Sequence, residues 1–366
     1  MDLPEPPFRL LSRRQVLRGG VGGAAALAVG GDLLLRPRRT LGAVPAPPVG
    51  APPRRMVVLG PAGTMYAGSP QDYRSADNRR FFSETHTGWV RLWADWPSLM
   101  PAPGVFDPDR VAALDDQLAV ARADGLRTIL TLYRTPAWVG SGVAAAPPWE
   151  RFVAWAITRY GARLDVLELC NEPNLEGTAP ETVAAMFVTA QRIAGDLGSP
   201  VVLAGPATAD MAGYDRFTDR LLDALDARGF VAGTRFAWTH HNYADVAYAT
   251  SRTADVRRRL VGRWAGWPAG DAGNPQLLLT EGGVTLATIA RHLRIADPAA
   301  QRAKQGELLT AAYERLSGPQ GAGVALVTQY LFHTDPRYDS GLCETAERGG
   351  ARRPAFEAWR ALPSVA

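Results

Sequence analysis

The sequence predicts an α/β fold, a (β/α)8 TIM barrel, and three observations carry the prediction. Short apolar runs alternate with helical patterns eight times over about 310 residues, the rhythm of such a barrel. The fourth and seventh runs each stop in a glutamate set in a polar cluster. No Gly-x-Gly-x-x-Gly turn follows the first run, which weakens the alternative of an open doubly wound sheet.

The elements follow in order. Met56–Gly60 reads as strand one, with a helix near Ala76 to Glu84. Strand two is Trp89–Trp93. Asp107 and Pro108 then start a helix, Val111, Leu114, Leu118 and Ala121 recur at helical spacing, and Gly125 ends it. Strand three is Thr128–Tyr133, followed by a helix over Pro148 to Tyr160. The fourth run begins at Val166 and leads into Asn171-Glu172-Pro173-Asn174. Pro173 has no N–H, so the strand ladder is expected to stop there. Thr178 with Glu181 reads as a capping box for a helix reaching about Leu197. Strands five, six and seven are Val201–Gly205, Phe236–His240 and Leu277–Glu281. Their helices run over about Tyr214–Ala227, Thr253–Trp264 and Pro298–Leu316. Strand eight is Val324–Tyr330, and a helix over Pro354–Leu362 closes the barrel.

Ahead of the barrel, residues 1–43 hold seven arginines against three acids. They account for the whole net charge of +4, and the remainder is neutral. The basic balance therefore belongs to the leader and gives no argument for a nucleic-acid partner. Ser12-Arg13-Arg14-Gln15-Val16-Leu17-Arg18, followed by an apolar Gly/Ala/Leu stretch, resembles a twin-arginine export signal. The resemblance implies export of a folded protein to the cell envelope or beyond, with membrane contact only through this segment. An uncleaved anchor or a basic tail is the alternative. Residues 44–55, with five prolines, read as a stiff linker, leaving 56–366 as the catalytic domain.

Composition narrows the chemistry. With 46% hydrophobic residues and ten Trp among 366, the chain can build a large core. Lys304 is the only lysine and has no Gly-rich loop beside it, which removes support for P-loop or Schiff-base chemistry. The two cysteines, Cys170 and Cys343, show no metal-ligand spacing. They either pair or stay as small buried side chains. His240 and His241 are adjacent, so on a strand they face opposite sides and cannot share a zinc ion. No metal or organic cofactor is implied.

The two glutamates define the expected site. Active sites of parallel barrels form at the C-terminal ends of the strands, where both Glu172 and Glu281 fall. Two carboxylates across one pocket suit glycoside hydrolysis, one protonated to donate to the leaving oxygen and one ionised to attack or activate water.

On these residues, roughly 56–362 resemble clan A of the glycoside hydrolases, family 39-like, with the cellulase-like family 5 next. The resemblance implies a retaining enzyme acting on a β-linked glycoside or polysaccharide. It casts Glu172 as acid/base, Asn171 as a sugar 2-hydroxyl contact and Glu281 of Thr280-Glu281 as nucleophile. It casts Arg91 and the Tyr of His241-Asn242-Tyr243 as partners that keep the nucleophile ionised. A cation and a hydroxyl donor do favour the charged form of a carboxylate, while a nearby negative charge favours the protonated acid. Trp93, Trp96, Trp138 and Tyr330 are candidate sugar platforms, each with a core reading beside it. Two departures stand out. Strand eight ends Gln329-Tyr330-Leu331-Phe332, where the family commonly has a Trp, and strand three offers Tyr133-Arg134 in place of a His. Arg134 is therefore a candidate for recognising an acidic sugar. An endo-acting β-glucanase or mannanase, and a barrel that only binds carbohydrate, are the competing readings.

Overall fold

The computed structural model describes residues 53–61, 69, 71–140, 146–230, 232, 235–264, 277–335, 338–345 and 350–363. The expected export signal, and the linker up to residue 52, lie outside the described residues. Eight parallel strands close into a barrel in sequence order: β1 Arg54–Val58, β2 Trp89–Asp95, β3 Arg127–Tyr133, β4 Val166–Glu168, β5 Val202–Thr208, β6 Phe236–His241, β7 Leu277–Glu281 and β8 Val324–Tyr330. β1 pairs with β8, from Arg54 opposite Leu326 to Val58 opposite Tyr330.

Eleven helices lie among the described residues. α1 is Ala76–Glu84, α2 Trp96–Leu99, α3 Pro108–Ala123, α4 Ala146–Tyr160, α5 Pro180–Asp196 and α6 Tyr214–Asp226. α7 is Tyr243–Tyr248, α8 Arg252–Arg263, α9 Leu286–His292, α10 Pro298–Ser317 and α11 Pro354–Ala361. The short α2, α7 and α9 have no counterpart in the sequence reading. Each has at most seven residues, too few for a helical period to show.

Strand side chains alternate between two cores. Met56, Val58, Trp89, Trp93 and Ile129 fill the barrel interior. Val57, Val90, Leu92, Leu130 and Leu167 face the helices. Both faces of each strand are thus covered, which is why the strands read as unbroken apolar runs.

Three local expectations change. β1 starts at Arg54, so Arg54 and Arg55 belong to the barrel and not to the linker. The buried Arg55 guanidinium donates to Thr85 O at 2.7 Å and to Trp359 O, tying β1 to the ends of α1 and α11. Thr178 does not cap α5. Its N-cap is Ala179, without a side-chain bond, and Pro180 occupies the first turn, where a missing N–H costs nothing. β4 leaves the ladder after Glu168, well before Pro173. Leu169 N still donates to Ala204 O, but Glu172 N reaches past the register shift in β5 to Ala207 O at 2.9 Å.

Cys170 and Cys343 are free and buried. One follows β4 and the other β8, on opposite sides of the barrel, so they do not pair.

Candidate active site

Arg91 organises the site. On β2 it alternates inward with Trp89 and Trp93 and is fully buried. Its Nε donates to Thr131 Oγ1 and to Glu168 Oε2, both at 2.8 Å. One terminal nitrogen donates to Glu281 Oε1 at 2.6 Å. The other donates to Glu168 Oε2 at 2.5 Å and to Asn171 Oδ1 at 2.7 Å. The guanidinium carbon stands 4.3 Å from the Trp93 ring centroid. Burial works against this charge, but Glu168 and Glu281 outweigh it and hold the Arg91 pKa above its ordinary value.

Glu281 sits at the end of β7, its side chain almost enclosed. Tyr243 OH donates to its Oε2 at 2.7 Å, so each carboxylate oxygen has its own donor. Glu172 stands opposite. Its backbone is left-handed, with φ of 46°. That conformation costs a β-carbon residue about 1–2 kcal/mol and recurs at functional sites. Glu172 O accepts from Leu175 N and Glu176 N, which closes the turn that fixes this shape.

His241 bridges the two acids. Its Nδ1 lies 2.9 Å from Glu172 Oε1 and 3.7 Å from Glu281 Oε2. One oxygen of each glutamate and one His241 nitrogen all lie within 4.8 Å of one another. Burial pushes the imidazole pKa down, but Glu281 and then Glu172 outweigh it and raise the value above the ordinary one. The spacing alone would admit a metal ion. However, both Glu281 oxygens already accept from protein donors, and Arg91 places a full positive charge beside them.

Tyrosines cluster beside the acids. Tyr243, Tyr330 and Tyr338 meet edge to face, with centroids 5.4–6.4 Å apart. Burial and then Glu281 push all three hydroxyls well above their ordinary pKa, so they remain donors. Burial likewise pushes Tyr133, whose ring meets Trp93 edge on at 4.8 Å, up to about 12.

The structure therefore brings together Arg91, Asn171, Glu172, His241, Tyr243, Glu281 and Tyr330. It places other candidates elsewhere. Trp93 is a floor of the inner core, 1% exposed, with its Nε1 donating to Leu59 O. Trp96 faces outward and stacks on Phe152 at 4.8 Å, inside the helical layer. Trp93 is covered, with Arg91 and Tyr133 against its ring, and the turn into α2 carries Trp96 into the helical layer, so neither presents an open ring face. Trp138 is half-buried, bonds Met100 O and packs edge on against Trp96. Arg134 is exposed, and its guanidinium makes a two-bond pair with Asp95, both at 2.6 Å. That acid already meets its charge. His240 faces outward against Tyr214, and burial pushes it down to about 3.

Sequence reasoning missed Glu168 and Tyr338. Glu168 is fully buried and also accepts from Thr131 Oγ1 at 2.7 Å and Thr280 Oγ1 at 2.9 Å. Its signal was an acid inside an apolar run, which is tolerable only beside a buried cation. Tyr338 arrives on the long connection after β8 and had no local signal.

No protein-family model matches the chain, and no curated protein does. Solved structures of similar fold exist. A family 39 glycoside hydrolase from the gut symbiont Bacteroides cellulosilyticus WH2 superposes with a TM-score of 0.60 at 15% identity. The match covers 85% of this chain and 63% of that one, so this chain spans less than two thirds of it. An endo-β-1,4-glucanase from Xanthomonas axonopodis pv. citri gives 0.58 at 16% identity, covering 84% and 98%. Endo-glycoceramidase II from Rhodococcus sp. gives 0.54 at 15%, covering 84% and 78%. At these identities the likeness establishes a shared fold.

Proposed function

We propose that this chain is a retaining glycoside hydrolase that cleaves a β-linked glycoside or polysaccharide by double displacement. The observation that carries the reading is the pair Glu172 and Glu281, with carboxylate oxygens within 4.8 Å across one pocket. So close an approach of two oxygens favours the ~5–5.5 Å carboxyl spacing of double displacement over the ~6.5–9.5 Å that inversion needs for a water. The names of the three structural neighbours given above, each an enzyme of glycosidic bonds, support the same class.

Glu281, ionised beside Arg91 and Tyr243, attacks the anomeric carbon. Glu172 gives its proton to the departing glycosidic oxygen as that bond breaks, leaving a glycosyl ester on Glu281. Glu172, now a carboxylate, takes a proton from water, whose oxygen attacks the anomeric carbon and releases Glu281. His241 keeps its hydrogen bond to Oε1 while the other oxygen of Glu172 works on substrate. Asn171 has its oxygen engaged by Arg91, so its N–H groups are what remain to donate to a sugar hydroxyl. Tyr330 and Tyr338 supply ring faces and hydroxyls in place of a strand-eight Trp.

The test is a screen of aryl β-glycosides and polysaccharides with the wild type, Glu281→Gln and Glu172→Gln. Glu281→Gln should abolish turnover. Glu172→Gln should spare kcat/KM for substrates whose leaving group needs no proton while lowering kcat, because hydrolysis of the glycosyl ester still needs the base. Turnover surviving Glu281→Gln would remove the nucleophile assignment. Intact glycan binding without any hydrolysis would favour a barrel that only binds carbohydrate.

Export by the twin-arginine route rests on Arg13-Arg14 and the apolar stretch after them. Replacing both arginines by lysine should trap the chain inside the cell, as read by fractionation.

A further inference from the structure

We propose that Glu168 is a positioning residue: it anchors the Arg91 guanidinium and takes up part of its charge, so that the remaining N–H groups meet Glu281 and Asn171 together. Glu168 is fully buried, so it does not touch a sugar. Four hydrogen bonds hold it, from Arg91 Nε and a terminal nitrogen, Thr131 Oγ1 and Thr280 Oγ1. β2, β3, β4 and β7 are thereby joined around one carboxylate. A buried ion pair is weak evidence for stability, since apolar side chains often serve as well. Four donors converging on it point to geometry.

The arrangement has a consequence for charge. One guanidinium faces two carboxylates, Glu168 and Glu281. Burial lowers the pKa of His241 beside this centre, and Glu281 and Glu172 outweigh it and raise the value. The titratable groups facing this centre are Arg91 from β2, Tyr133 from β3, Cys170, Glu172 and Glu176 after β4, His241 from β6, Tyr243 from α7, Glu281 from β7, and Tyr330 and Tyr338 from β8 and the connection after it. The catalytic consequence rests on the glycosidase reading, whereas the geometric one does not.

The experiment compares full-length wild type, Glu168→Gln and Glu168→Asp. It measures kcat and KM against pH on an aryl β-glycoside, and the His241 imidazole titration by NMR. Loss of one of the five histidine signals in His241→Gln identifies it. Glu168→Gln should lower kcat ~10²-fold, the usual effect of a misplacement of about an ångström. KM should stay within ~2-fold. The His241 midpoint should fall, because Arg91, which lowers it, would lose part of its compensating charge. Glu168→Asp keeps the charge and shortens the reach, so kcat should fall ~10-fold with the midpoint unmoved.

A folded Glu168→Gln with a wild-type midpoint and pH profile would overturn the proposal. Should that variant fail to fold, wild-type kcat in Glu168→Asp would overturn it instead. A displaced midpoint in a protein that hydrolyses no glycoside would leave Glu168 in its role and remove the glycosidase reading.

Discussion

His241 Nδ1 stands 2.9 Å from Glu172 Oε1, inside the barrel, with Glu281 only 3.7 Å away. The imidazole thus stands between the two acids. Because Glu281 and Glu172 raise the His241 pKa, its contribution to stability is fully present below the unfolded value of ~6.5. It is lost as pH rises through the raised folded value. His241→Gln should therefore flatten stability against pH above ~6.5, as seen in melting temperatures from pH 5 to 9. The same variant should move the basic limb of kcat/KM.

Tyr243 OH donates to Glu281 Oε2, shares a hydrogen bond with Tyr338 and packs its ring against that tyrosine. Tyr243→Phe keeps the ring. A hydrogen bond to a charged group contributes about 1.5–3 kcal/mol, so kcat should fall ~10–100-fold with little change in melting temperature. Steady-state kinetics beside a thermal melt measures both.

His240 offers a check on acid stability. Burial holds it near 3, far below the unfolded ~6.5. A basic group with a depressed folded pKa leaves stability intact above the unfolded value and erodes it as pH falls toward the folded one. The slope reaches at most about 1.4 kcal/mol per pH unit. His240→Leu should shrink the loss of melting temperature between pH 7 and pH 4. An equal loss in both proteins would show that other groups set acid sensitivity.

Arg134 carries the question of an acidic sugar. Its paired bonds to Asp95 already balance its charge. Arg134→Gln should therefore change the ratio of kcat/KM for a uronide and its neutral counterpart by less than ~3-fold. A collapse confined to the uronide would restore Arg134 as a recognition group.

The sequence by itself determined the barrel, because strands buried on both faces must read as apolar runs and helices between them must show a 3.6-residue period. It also singled out Glu172 and Glu281 as candidates, since each ends such a run where parallel barrels build their sites, and the barrel brings their oxygens within 4.8 Å. Tertiary structure decided the rest. Which Trp faces a pocket depends on turns such as the one from β2 into α2, where Trp96 swings into the helical layer. Tyr338 reaches the centre only because the connection after β8 folds back over the barrel, a long-range placement without a local pattern. Glu168 lay within the apolar run of β4, but its meaning came from Arg91, 77 residues earlier on β2. A buried charge is defined by its partner, and strand pairing, not sequence spacing, brought that partner into reach.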